Sequence, residues 1–241
     1  MRVLPLLAVL CALVLPGVSL AQEGAVESNF RASPGNTQSV SRGARDFVNY
    51  CAGCHTLKYL RYNQLGAALG ISDATLEKTL IFPAKTKASS EMLNGMTAAD
   101  GKAFFGKDPP DLSLEAQYRD PEWIYEYLHS FYLDPKRPTG VNNTLLPNVA
   151  MPDVVANLQG WQKRVKGADG KEGLELVSQG SMSPSQFDAF VGDLTNFLTF
   201  AATPEYHTRA TIGPFVLLYL VILGILCYLV KREFWKDVHQ H

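Results

Sequence analysis

Cysteine is scarce in this chain, with four residues in 241, at positions 11, 51, 54 and 227. That count excludes a disulfide framework, and it leaves no second cysteine pair to complete a structural zinc site. A strong charge of one sign is also missing, since 22 Lys+Arg stand against 23 Asp+Glu. Two of the acids and four of the bases lie in the end segments, so the middle of the chain is mildly acidic, which argues against nucleic acid as a partner. There is no internal repeat and no run that argues for a sheet. Long apolar runs are absent from the middle and confined to the two ends.

The first run follows Arg2 and extends from Val3 to Val14, and Ser19-Leu20-Ala21 then offers the small residues that signal peptidase accepts. Residues 1–21 therefore read as an export signal, and Cys11, which follows Leu10, lacks the small neighbour of a lipoprotein signal. The second run, 210–230, carries no charge and is followed at once by Lys231-Arg232, with Lys236 just beyond. It is long enough to cross a bilayer as a helix, and the basic cluster marks its cytoplasmic side. The expected organisation is a signal at 1–21, an extracytoplasmic domain at 22–209, a transmembrane helix at 210–230 and a cytoplasmic tail at 231–241.

Residues 23–39 read as an extended lead-in. Ser41 then offers a cap for a helix through Tyr50, with Ala44, Phe47 and Val48 on its inner face. A short helix is expected over 72–80 and a polar surface excursion over 85–107. Pro121 opens a helix through Tyr132 with Trp123, Ile124, Tyr127, Leu128 and Phe131 on one face. Residues 142–149 look irregular, and Lys163–Glu172 reads as a charged hairpin-like loop. Ser183-Pro184-Ser185-Gln186 combines an N-cap, a proline at the first helical position and a capping-box glutamine. The helix it opens repeats Phe187, Phe190, Val191, Leu194, Phe197 and Leu198 and stops at Pro204.

Between the first helix and the excursion stands Cys51-Ala52-Gly53-Cys54-His55. This spacing lets two thiols add to the vinyl groups of a haem while the adjacent imidazole reaches the iron from the same side. A thioredoxin-like redox pair needs a preceding strand, and none is evident. A sixth iron ligand must come from elsewhere. Met92 and Met96 sit in the polar excursion and are weak candidates; Met151, before Pro152, and Met182, at the entry to the last soluble helix, remain open. His129 reads as a surface or internally satisfied histidine, His207 sits near the expected membrane surface, and His239 and His241 fall on its far side.

Taken with Thr56-Leu57-Lys58-Tyr59-Leu60-Arg61-Tyr62, Pro109-Pro110-Asp111-Leu112-Ser113, Arg119, Ala150-Met151-Pro152 and Thr203-Pro204-Glu205, the motif resembles the cytochrome c1 family, the haem subunits of ubiquinol–cytochrome c reductase (bc1) complexes. The resemblance covers nearly the whole chain after the signal. It implies a mainly α fold: a cytochrome c-like haem domain with loop insertions and one C-terminal transmembrane helix. It implies one haem c, bound covalently through Cys51 and Cys54, with His55 and Met151 on the iron, Arg119 on a haem propionate and Pro110 packed along the haem. The loop 161–175 holds no cysteine pair, so the disulfide of some family members is absent.

The implied role is single-electron transfer from the Rieske iron–sulfur protein to a soluble or tethered cytochrome c, as a subunit and not an enzyme by itself. The expected partners are cytochrome b and the Rieske protein in a dimeric complex, in a bacterial inner membrane with the haem domain in the periplasm. A tail-anchored cytochrome serving a terminal oxidase is the alternative; it shares the haem motif and anchor but not the 109–119 segment. Seven acids between Asp108 and Asp134 against one base, Arg119, also suggest a face that steers a basic partner.

Overall fold

The structure, a computed structural model, describes residues 26–167, 170 and 172–236. The expected export signal, His239 and His241 lie outside the described residues.

Two helices far apart in the chain pack on each other and organise the core. Helix α1 (Thr37–Tyr50) starts a turn earlier than expected: Asn36, not Ser41, caps it, accepting from the Ser39 amide at 3.1 Å. The reason is burial. Val40 is as buried as Ala44 and Phe47, and the i, i+4, i+7 face they form needs the extra turn.

The partner helix, labelled α8 from its place in the chain (Pro184–Ala202), carries the expected capping box, with Ser183 and Gln186 exchanging hydrogen bonds at 2.9 and 3.3 Å. The two backbones meet at Gly43, where a Cβ would lie 2.0 Å from the Asp193 carbonyl oxygen. Phe47 and Phe197 pack beside that point, their ring centroids 5.4 Å apart. The lead-in is pinned to the second of these helices by the Ser33 amide, which donates to Asn196 Oδ1 at 2.6 Å, and to the helix 121–129 by Phe30, which stacks on Tyr125 at 4.5 Å.

After the cysteine motif come β1 (Leu57–Arg61), α2 (Tyr62–Leu69) and α3 (Asp73–Thr79), the last capped by Ser72 over the expected short helix. The 85–107 segment is more ordered than a surface excursion. It holds β2 (Glu91–Met92), antiparallel to β1 with Met92 opposite Leu57, and α4 (Ala98–Phe105) with a Thr97–Asp100 capping box. Met92 is 2% exposed, a core residue whose polar neighbours hid it in the sequence.

Two helices then follow, α5 (Glu115–Tyr118) and α6 (Pro121–His129). The second ends before the expected Tyr132, because Phe131 enters β3 (Phe131–Leu133), paired with β4 (Val141–Asn143). Phe131 stays buried, on a strand instead of a helix. A single turn, α7 (Ala156–Gln159), leads into a long exposed hairpin of β5 (Gly160–Lys166) and β6 (Glu172–Gln179), which extends the expected loop on both sides. The fold is mainly α, as the resemblance implied. The expectation of no sheet is corrected to three two-stranded ladders among the described residues, none of them a core layer.

Helix α9 (Tyr206–Phe234) is apolar on every side from Thr211 to Val230, ahead of Lys231, Arg232 and Glu233, and the candidate span Thr211–Phe234, 24 residues, is not buried against protein. At 1.5 Å per residue it is about 36 Å long, against a hydrocarbon core of roughly 30 Å. Pro214 lies inside it, a position that membrane helices tolerate.

Candidate functional site

The cysteine motif is built on the end of α1. Cys51 is its C-cap, and the chain then turns back so that the amides of Cys54 and His55 both donate to the Cys51 carbonyl, at 3.0 and 2.8 Å. Cys51 and Cys54 are both free thiols. Burial pushes the Cys51 thiol up to about 12, with Asp46 and Cys54 adding to it. A redox-active cysteine has the opposite setting, a helix N-terminus and a lowered pKa. The buried Cys51 thiol is poorly set for disulfide exchange.

The segment 109–113 is tied to the residues just after the motif. Asp111 Oδ2 accepts from the Lys58 amide at 2.9 Å and from the Thr56 hydroxyl, while its Oδ1 accepts from the Ser113 amide at 3.1 Å. Leu112 donates to the Thr56 carbonyl at 2.9 Å, and Ser113 Oγ accepts from the Tyr59 amide at 3.1 Å. That lacing brings the Pro110 carbonyl to His55 Nδ1 at 2.8 Å. With Nδ1–H donated there, Nε2 keeps its lone pair for a metal. Burial lowers the His55 pKa, partly offset by the Pro110 carbonyl and Asp111, so the imidazole is neutral at physiological pH. Asn94, which the sequence did not single out, donates its amide to the Cys54 carbonyl from the 85–107 segment.

Cys51, Cys54, His55, Pro110, Arg119 and Met151 all line one cavity of about 450 Å³, inside the usual range of roughly 300–1,000 Å³ for cofactor pockets. Its walls are largely apolar, with Ile124, Leu128, Val149, Leu194 and Leu198 among them. Met92, Met96 and Met182 do not line it; Met182 packs against the core. His129 is satisfied, with Nδ1 donating to the Tyr125 carbonyl at 2.8 Å and Nε2 3.0 Å from Asp188 Oδ1. Tyr127, read in the sequence only as part of an apolar face, directs its hydroxyl to Met151 Sδ at 3.5 Å. No sequence signal distinguishes that tyrosine from a core aromatic.

Arg119 is held over the Trp123 ring at 4.7 Å and the Tyr118 ring at 5.1 Å. Its Nε is buried without a hydrogen-bond acceptor, and the nearest carboxylate oxygen, on Glu115, lies 3.6 Å away. A fork of donors fixed by two aromatic rings and short of an acceptor fits a carboxylate on a bound group. The donor set therefore fits a haem: two thiols, an imidazole with a free nitrogen, an apolar slot and a cationic rim.

The Cytochrome C1 family model matches residues 31–238. The chain belongs to the cytochrome c1 family. It is 47% identical over 208 residues to cytochrome c1 of Allochromatium vinosum, covering 83% of this chain and 85% of that protein. It is 26% identical to cytochrome c1 of Rhodospirillum rubrum, over 94% of this chain and 97% of that one. A Nitrosomonas europaea protein named as the gamma subunit of ammonia monooxygenase is 36% identical, over 84% of each chain. As a cytochrome c1 family member the chain is the c-type cytochrome subunit of the bc1 complex, with haem c as its covalent cofactor and a membrane anchor in α9.

Proposed function

We propose that His55 and Met151 would ligate the haem iron, that Cys51 and Cys54 would carry the thioether bonds, and that Arg119 would pair with a propionate. The observation that carries this reading is the cavity itself: of the four methionines considered, Met151 alone shares its walls with His55. When bound, the haem supplies a one-electron couple. The chain's residues do the rest. His55, fixed by the Pro110 carbonyl, presents Nε2; Met151, touched by the Tyr127 hydroxyl, presents a soft sulfur, a pairing that raises the potential. The apolar walls keep water away, and Pro110 packs along the slot. No group is needed to move a proton.

The electron donor is the Rieske iron–sulfur protein and the acceptor a soluble or tethered cytochrome c, with cytochrome b as the membrane neighbour in a dimeric complex. The soluble domain faces the periplasm and the tail the cytoplasm of a bacterial inner membrane, supported by Lys231, Arg232 and Lys236 after the span. Met151→His and Met182→Leu, compared in the purified complex, test the ligand set. The methionine–iron absorption band at the red end of the visible spectrum should vanish in the first and persist in the second. Its loss in Met182→Leu alone overturns the assignment.

A further inference from the structure

Met151 reaches the cavity from a loop, 144–150, that has no regular backbone hydrogen bonding of its own. Its polar backbone groups are met by side chains. Asn143 is 1% exposed, an amide in the core, and its bonds all serve this region. Its Oδ1 accepts from the Leu145 and Leu146 amides at 2.9 and 3.2 Å, and its Nδ2 donates to the Tyr127 carbonyl at 2.8 Å. Asn142 does the same for the far end of the loop. Its Oδ1 accepts from the Asn148 amide at 2.8 Å, while its Nδ2 donates to Asp134 at 3.0 Å.

Asn148 itself has a left-handed backbone, φ 64°, and Arg137 clamps it with two donors at 3.0 Å, one to its side-chain oxygen and one to its carbonyl. Tyr127 links this frame to the ligand: its carbonyl holds Asn143, and its hydroxyl touches the Met151 sulfur.

We propose that Asn142, Asn143 and Arg137 are positioning residues that hold the 144–150 loop in the one shape that presents Met151 to the haem iron. The proposal rests on the reading of Met151 as a ligand. Removing Asn143 or Asn142 takes the acceptor from the Leu145 and Leu146 amides or from the Asn148 amide, removing Arg137 takes two donors from the Asn148 oxygens, and the loop relaxes to satisfy them elsewhere. The sulfur is then displaced more easily by an outside ligand, although the haem stays attached through Cys51 and Cys54. Arg137 is the cleanest test, because among the described residues its side-chain hydrogen bonds go to Asn148 and it is not part of the apolar core.

The experiment uses the complete complex carrying Arg137→Gln, Arg137→Lys or Asn143→Ala, with Met151→Leu as reference and imidazole as the probe ligand. Pyridine haemochrome spectra should show full covalent haem in every variant. Imidazole should bind the oxidised haem about tenfold more tightly in Asn143→Ala, the equivalent of one or two lost hydrogen bonds. Arg137→Gln should show a gain of several-fold that Arg137→Lys partly reverses, and the methionine–iron band should weaken in step. Wild-type imidazole affinity and band in Arg137→Gln and Asn143→Ala, with the band abolished in Met151→Leu, overturn the proposal. If Asn143→Ala fails to assemble, Arg137→Gln decides alone. A band that survives Met151→Leu removes the ligand assignment, and the proposal with it.

Discussion

Glu115 lines the cavity 3.6 Å from the Arg119 guanidinium, and burial pushes its carboxyl above the ordinary range while Arg119 pulls it back. A carboxyl raised in the folded state favours folding while protonated, so its contribution is full at low pH and is lost as pH rises through the raised pKa. The same ionisation adds a negative charge beside the haem site and competes for Arg119, which favours the ferric form. The midpoint potential should therefore fall as pH rises through the Glu115 ionisation, and Glu115→Gln should flatten that step. Redox titrations of both forms across the acid range check it; an identical slope in the two removes Glu115 from the account. The motif Cys51 to His55 was legible in the sequence because covalent attachment of a haem fixes its spacing, whereas no spacing separated Met151 from Met182. Asn94, Tyr127 and Asn143 were not legible, because each acts through a contact that sequence separation conceals.

Helices α1 and α8 set the cavity's depth, since one ends in Cys51 and the other contributes Leu194 and Leu198 to the wall. Their approach depends on Gly43, whose added Cβ would meet backbone atoms of Asp193 that cannot rotate away. Gly43→Ala should cost roughly 1–3 kcal/mol by forcing the helices apart. Thermal unfolding of the haem-loaded complex measures it, and an unchanged transition sinks the argument. The 109–113 segment depends on a different device. Asp111 sits below the ordinary carboxylate range because hydrogen bonds from Ser113, Thr56 and Lys58 outweigh the desolvation that opposes them. Its lacing is present above the ordinary aspartate pKa and lost as pH falls through the depressed one.

Asp111→Ala should remove that acid step and loosen the Pro110 carbonyl from His55, visible as a shifted histidine ring proton resonance. An unmoved resonance shows the segment holding without Asp111. Helix α8 was legible because Ser183, Pro184 and Gln186 agree on one start and the apolar period continues from it. The start of α1 was not, because Ser41 offers a rival cap one turn too late. The short strands escaped because pairing such as Met92 with Leu57 is decided by tertiary contact and not by local pattern.

Across the whole molecule, the acidic stretch from Asp108 to Asp134 is thinner as a docking face than its composition suggested. Asp111 is bound to Thr56, Lys58 and Ser113, Glu115 pairs with Arg119, Asp134 accepts from Asn142, and Glu122 lies 3.7 Å from Arg31. Among the described residues, Asp108, Asp120 and Glu126 keep carboxylates outside such bonds, and Asp108 lies on the cavity rim. Long-range steering depends on unneutralised charge, which salt screens over about 8–10 Å. The second-order rate with a basic cytochrome c should therefore fall with ionic strength, and the fall should be carried by these three. Replacing them together with Asn, Asn and Gln should flatten the salt dependence by more than the same change at Asp111, Glu122 and Asp134, whose carboxylates stay charged but are turned toward groups of this chain. Stopped-flow measurements across a salt series separate the cases. A flat wild-type rate removes electrostatic steering from this face, and equal effects of the two triple variants show that net charge, not its exposed placement, sets the rate.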